Sequence, residues 1–143
     1  MLWTAVHLPR LSLDCTPQAP DRAFAVVEKR RIVAACGSAH AQGVHAGQGL
    51  AAALALIPSL AWAERDPGRE AAALDTLALW ALQFTSGVVL LPRGLLLETG
   101  GSARLFGGLD PLLRGLADGL ATLGYAATLA SSPTPTGARM LAQ

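Results

Sequence analysis

Apolar residues follow two rhythms along this chain: short continuous runs, and stretches in which leucine and alanine recur every three or four positions. Residues 2–7 (Leu-Trp-Thr-Ala-Val-His) form one such run, closed by Pro9, and predict a buried strand. Pro17, Pro20 and Asp21 mark a loop. Two β-rich runs, 23–28 and 31–36, flank polar Lys29 and Arg30 and predict a hairpin. A helical turn is expected over 38–42, stopped by Gly43, and an alanine-rich helix over 48–57, ended before Pro58.

The strongest helix signal is Asp66-Pro67, a capping residue followed by proline at the first helical position. Leu74, Leu77, Ala78, Ala81 and Phe84 then recur at helical spacing as its buried face. Continuous apolar runs at 87–91 and 95–98 surround Pro92-Arg93-Gly94 and predict a hairpin in the centre of a sheet. Asp110-Pro111 repeats the cap-and-proline device, with Leu112, Leu113, Leu116, Leu120 and Leu123 as core stripe and Gly124 as terminator. A last strand is expected over 126–130, and a further helix over 136–143. Without residues 15–65 the order is strand, helix, strand, strand, helix, strand. That is an α+β, ferredoxin-like (split βαβ) fold with an insertion after the first strand.

Composition narrows the function. The 143 residues suffice for one well-buried domain, or one domain with a small insertion. At 52% hydrophobic and 15% charged, the chain is no disordered tail. A net charge of +1 supplies no field for strong nucleic-acid binding by electrostatics alone, which argues against a stand-alone basic DNA-binding module. The ten arginines against one lysine read as compositional bias. The longest apolar stretch, 49–63, is broken by Pro58 and Ser59 and falls short of the roughly 18–20 apolar residues of a membrane span. The N-terminus lacks the basic start of a signal peptide, and Cys15 and Cys36 have neither disulfide-scaffold nor metal-ligand spacing. A reduced cytoplasm, with no membrane role, is the expectation.

A ferredoxin-like palm with a fingers insertion after its first strand is the arrangement of the Y-family translesion DNA polymerases, and several segments resemble that family. Ala25-Val26-Val27-Glu28, Ile32-Val33-Ala34-Ala35, Ala39, Gly43-Val44 and Gly47 are similar to its fingers. Residues 94–101 (Gly-Leu-Leu-Leu-Glu-Thr-Gly-Gly) and Leu105-Phe106-Gly107 are similar to its palm hairpin and exit loop. With residues 131–138 (Ser-Ser-Pro-Thr-Pro-Thr-Gly-Ala), they resemble most the ImuB branch of polymerase-like mutasome subunits. The resemblance implies a palm at 1–14 and 72–143 and a fingers-like insertion at 15–71.

Active members of the family hold two divalent metals on an aspartate ending the first strand and an Asp-Glu pair opening the second hairpin strand. Mg²⁺ prefers such hard oxygen ligands. The resemblance places these positions on His7, with a nearby second aspartate on Pro9, and on Arg93 and Gly94. None is an oxygen ligand. A guanidinium about 4 Å from a divalent ion costs on the order of 8 kcal/mol at an effective dielectric of about 20. The Tyr and Arg that hold the incoming triphosphate match Gly37 and His40, and the aromatic sugar gate matches Leu11. His40 has a reference pKa of about 6.5 and is no permanent phosphate clamp. The expectation is no catalytic residues, no metal and no cofactor.

Plainer readings hold for the remaining candidates. His7, His40 and His45 fit no metal-ligand spacing. Glu98 is expected to accept hydrogen bonds from the 99–102 turn amides rather than bind metal. Gly100-Gly101 and Gly107-Gly108 lie in no phosphate-binding motif and read as turns. Lys29-Arg30-Arg31 reads as a solvated hairpin tip rather than a DNA contact, and the cysteines as small hydrophobes.

The function implied is a non-catalytic scaffold or adaptor in damage-induced translesion synthesis. Implied partners are a RecA-like accessory protein, an error-prone C-family DNA polymerase and the sliding clamp, with DNA contacted weakly or indirectly. A divergent active nucleotidyltransferase and an unrelated ferredoxin-like regulatory domain are the alternatives. Because the sequence stops inside an expected helix at 140–143, it is read as an N-terminal piece lacking thumb and later domains. A hydrophobic strip is then expected where the thumb would pack, with self-association as its consequence.

Overall fold

The computed structural model describes residues 1–17 and 22–143, so the expected loop positions Pro20 and Asp21 lie outside the described residues. In chain order the first elements are β1 (Trp3–His7), α1 (Leu11–Asp14), β2 (Phe24–Glu28), β3 (Arg31–Ala35), α2 (Gly37–Ala41), α3 (Leu50–Leu56) and β4 (Ala61–Glu64). After them come α4 (Pro67–Ala81), β5 (Val88–Leu91), β6 (Gly94–Glu98), α5 (Leu109–Thr122), β7 (Thr128–Ser132) and α6 (Pro135–Ala142). A single 3-10 turn, Ala103–Phe106, precedes α5. The chain divides into two compact units, residues 1–11 with 71–143, and residues 12–70. Residues 12–14, assigned to the first strand's piece on sequence, group with the second unit.

The first unit carries an antiparallel sheet in the order β5-β6-β1-β7. With α4 and α5 as crossovers, this is the ferredoxin-like topology. Register puts Val6 opposite Leu95 and Thr4 opposite Leu97, so these four share one face and Ala5 and Leu96 the other. Val6, Leu95 and Leu97 are fully buried, as are Leu77 of α4 and the α5 stripe Leu112, Leu116 and Leu120. Thr4 is also buried there, its Oγ1 lying 2.9 Å from Thr99 Oγ1 and 2.8 Å from Ser131 Oγ. Hydroxyls from β1, β7 and the residue after β6 thereby satisfy one another. On the opposite face Ala5 and Leu96 pack with Ala138 and Ala142 of α6.

Helices α4 and α5 meet through glycine. A Cβ built on Gly119 would overlap the Trp80 ring, and one on Gly115 would come within 3.1 Å of Phe84. Trp80 and Phe84 are themselves edge-to-face at 5.1 Å. Two glycines inside α5 each cost helix stability of about 1 kcal/mol, and the aromatic seats they open explain their presence.

The second unit holds the sheet β3-β2-β4. The β2–β3 hairpin forms where Lys29 and Arg30 separate the runs, both with positive φ (51° and 60°), as a two-residue turn of the primed class demands. One face packs Ala25, Val27 and Ile32 with Ala39, Val44, Leu50, Ala53, Ile57 and Leu60 from the helices and loops. Arg65, just after β4, donates from Nε to Glu70 (2.7 Å) and from Nη1 to Glu28 at the end of β2 (3.0 Å). These hydrogen bonds, Glu70's first, hold its guanidinium even more firmly protonated.

Several sequence expectations are corrected. The β5–β6 hairpin is not central: β5 is the sheet edge, with Val89 and Leu90 about half exposed, so a continuous apolar run does not prove burial on both sides. Helix α5 starts at Leu109 behind Gly108 (φ 125°), not with Asp110 as cap. Pro111 is tolerated inside the first turn because an amide there has no intrahelical partner. Gly124 (φ 93°) does end that helix, but β7 begins at Thr128, two residues later than expected. Leu123 is 48% exposed rather than core. Strand β4, parallel to β2, and the single-turn α1 are additions.

Candidate functional site

The palm positions converge at one end of the first unit's sheet. His7 ends β1 and is the register partner of Gly94, which opens β6. The amide of Leu8 donates to the Arg93 carbonyl at 2.8 Å and locks that end of the ladder. Pro9 and Arg93 are exposed and His7 is half-buried. Gly94 is buried, and a Cβ built there would overlap the Val6 carbonyl oxygen. The Val6 carbonyl oxygen thus occupies the place where a side chain at 94 would begin. Glu98 is four residues along β6, about 13 Å away at 3.3 Å per residue. Its Oε1 accepts from the Gly100 amide at 2.9 Å, the turn role expected of it.

Of the remaining sequence-predicted positions, Leu11 belongs to the first unit and Gly37 and His40 to the second. Leu11 is buried (2% exposed) at the start of α1. Gly37 opens α2 and His40 is exposed on it, bonded through its backbone amide to the Cys36 carbonyl at 2.9 Å. His45 is exposed, its Nδ1 3.2 Å from the Ala46 carbonyl oxygen. Among the described residues no group of three or more His, Cys, Asp or Glu side chains is arranged to hold a metal ion. Nor is any helix among them long and apolar enough to cross a membrane.

Two features went unread in the sequence. Arg139 of α6 lines a cleft with His7 and Arg93, yet in the sequence it is one arginine on an amphipathic helix with no motif around it. The Cys15 thiol is pushed above its ordinary pKa, chiefly by burial, and its Sγ lies 3.7 Å from the Ser12 carbonyl.

No family model matches the chain. Solved structures do. A post-insertion binary complex of Dbh DNA polymerase superimposes with a TM-score of 0.76 at 17% identity, covering 99% of this chain and 45% of that one. DinB from Sulfolobus solfataricus gives a TM-score of 0.71 at 15% identity, again covering 99% and 45%. The fold is therefore the palm-and-fingers fold of Y-family DNA polymerases. In sequence the chain is ImuB-like: it is 37% identical over 102 residues to Protein ImuB of two Caulobacter vibrioides strains. Those residues are 71% of this chain and 22% of that protein, so the chain spans under a quarter of the curated relatives it matches.

Proposed function

We propose that the chain is the palm and fingers of a non-catalytic, polymerase-like subunit that serves as scaffold or adaptor in damage-induced translesion synthesis. One observation carries this reading: the end of β1 and start of β6 present His7, Pro9, Arg93 and Gly94, with the Val6 carbonyl oxygen where a side chain at 94 would begin. A two-metal reaction needs several carboxylates at that point, and none of these residues is one. A fold kept without its chemistry is still a surface on which other proteins assemble.

The partners proposed are a RecA-like accessory protein, an error-prone C-family polymerase and the sliding clamp. The proposed compartment is the cytoplasm. Primer extension on this chain, and on any longer protein that carries it, tests the catalytic half. No template-dependent product is expected with Mg²⁺ or Mn²⁺, and a ladder of products overturns the reading in favour of a divergent nucleotidyltransferase. Co-precipitation with the three purified partners tests the scaffold half. Capture of none of them by the longer protein would leave an unrelated regulatory domain as the better account.

A further inference from the structure

Strand β5 is an edge of the first unit's sheet, and among the described residues no strand pairs with its outer side. The Glu98 amide donates to the Gly87 carbonyl at 2.9 Å, so Gly87 turns its backbone groups to β6. Alternation along the strand then sends the amides and carbonyls of Val88 and Leu90 out to the open edge. The side chains of those two residues line an open groove of about 440 Å³ with Asp75, Ala78 and Leu79 of α4 and Leu82 just after it. Leu79 is 71% exposed, and Leu82, Val89 and Leu90 about half. The devices that usually blunt an edge are missing within β5, which has no charge, no proline and no bulge.

We infer that this edge pairs with β5 of a second copy of the chain, antiparallel about a twofold axis through Val89, and that the two grooves close on each other. A twofold contact must be self-complementary. Centred on Val89, it sets Val88 of each copy opposite Leu90 of the other. Both residues bond outward and both face the groove, so hydrogen bonds and side chains match together. A slip of one residue would set side chains of opposite faces across from each other. Centring on Leu90 instead would bring Val88 to Pro92, which has no N–H to give. The charges agree with the Val89 register: Arg93 of one copy falls opposite Thr85 of the other, and Asp75 is the one charged residue among those lining the groove. A lone extended peptide would fill the edge but leave Leu79, in the helix layer, uncovered; a second copy brings its own α4 to it. The four exposed side chains offer roughly 400 Å² per copy, within the range of the largest patch on a typical monomer. Pairing buries about twice that, less than a standard interface, so the dimer is weak, with a Kd of about 0.1 mM. This inference does not depend on the proposed function.

The test is sedimentation equilibrium of the chain at concentrations up to about 1 mM, where a dimer of this strength is the main species. L79K and V88P should each weaken association about tenfold. Leu79 is mostly exposed and the Val88 amide lies outside the β5–β6 ladder, so both variants should keep the parent's circular dichroism and show that they fold. V89C should form a disulfide across the axis under mild oxidation, where non-hydrogen-bonded neighbours stand about 4.5 Å apart, and L105C on the 3-10 turn should not. The proposal is overturned if the chain stays monomeric or if L79K and V88P associate as the parent does. It is equally overturned if L105K or M140K, which charge exposed apolar positions elsewhere, dissolve the dimer instead. A longer protein that carries this chain should pair in the same way. If it stays monomeric the inference falls, and protection of its Val88 and Leu90 amides from hydrogen exchange would assign the edge to a segment of its own.

Discussion

Replacing Gly94 by alanine tests most directly how closely β6 packs on β1 at the end of the sheet that holds His7 and Arg93. The new methyl would overlap the Val6 carbonyl oxygen, and Val6 belongs to the buried middle of β1. Neither partner is a flexible side chain, so relief must come from drawing β6 away from β1. That movement breaks the Leu8 amide to Arg93 carbonyl bond, now 2.8 Å, and loosens the adjacent His7–Gly94 step of the ladder. Two backbone hydrogen bonds are worth about 2 kcal/mol together, and overpacking a well-filled site adds about 1–3 kcal/mol. The sum, about 3–5 kcal/mol, corresponds to a fall in Tm of roughly 10–20 °C for a chain of this size. Urea denaturation followed by far-UV circular dichroism measures it, with R93A, altered one residue away on an exposed side chain, as a control expected within about 0.5 kcal/mol of the parent. If G94A lies within 1 kcal/mol of the parent at unchanged slope, β1 and β6 are not packed as described and the steric half of the argument fails.

Other substitutions probe the supports around that site. G119A adds helix propensity but drives a methyl into the Trp80 ring, and should destabilise by about 1–2 kcal/mol with a change in tryptophan fluorescence; a gain in stability would mean the ring is not seated there. T4V removes the hydroxyl shared by Thr99 and Ser131 while keeping the shape, and should cost about 1–2 kcal/mol in chemical denaturation. Replacing Lys29-Arg30 by Asn-Gly relieves two positive-φ residues and should stabilise by about 1 kcal/mol, whereas destabilisation would argue against the turn geometry. Cys15, held protonated by burial, should alkylate more slowly at pH 8 in the folded chain than in urea. Its folded pKa is raised, so its contribution to stability is whole below the unfolded thiol pKa of about 8.5 and fades as pH climbs through the folded value.

The order of the palm elements was legible because each left a local mark. Proline and glycine punctuated the strands, Asp66-Pro67 announced α4, and Leu112, Leu116 and Leu120 traced the buried side of α5. What stayed hidden depended on neighbours distant in sequence. Strand β4 has four residues, two of them alanine, and becomes a strand by adding in parallel to β2. The edge position of β5 follows from the sheet order, which no stretch of 87–98 encodes. At the candidate site His7, Pro9, Arg93 and Gly94 were visible as residue types, but the overlap of a Gly94 side chain with Val6 was not, because glycine in sequence does not say which backbone approaches it. Arg139 was silent for the same reason, since its significance lies in sharing a cleft with His7 and Arg93.

A carboxylate cluster is a burden to a fold that does not bind the metals it serves. Like charges held a few ångströms apart repel, and burial raises the cost of each one left ionised. Such a cluster is tolerated where bound divalent cations offset its charge. On the reading proposed above, two carboxylates have given way to Arg93 and Gly94, with the Val6 carbonyl oxygen lying where a side chain at 94 would begin. Neither change touches what holds the sheet together: the leucines of α4 and α5, the Thr4–Thr99–Ser131 hydroxyls and the alanine face under α6. On that reading stability and chemistry are carried by different residues of the palm. It follows that restoring aspartate at 93 and glutamate at 94 should not rebuild an active centre, because the second side chain meets backbone before its carboxylate can reach a metal. Melting that double variant with and without Mg²⁺ decides the matter: the expected result is a large loss of stability that the cation does not rescue, and rescue would show that the strands still part to admit a metal site.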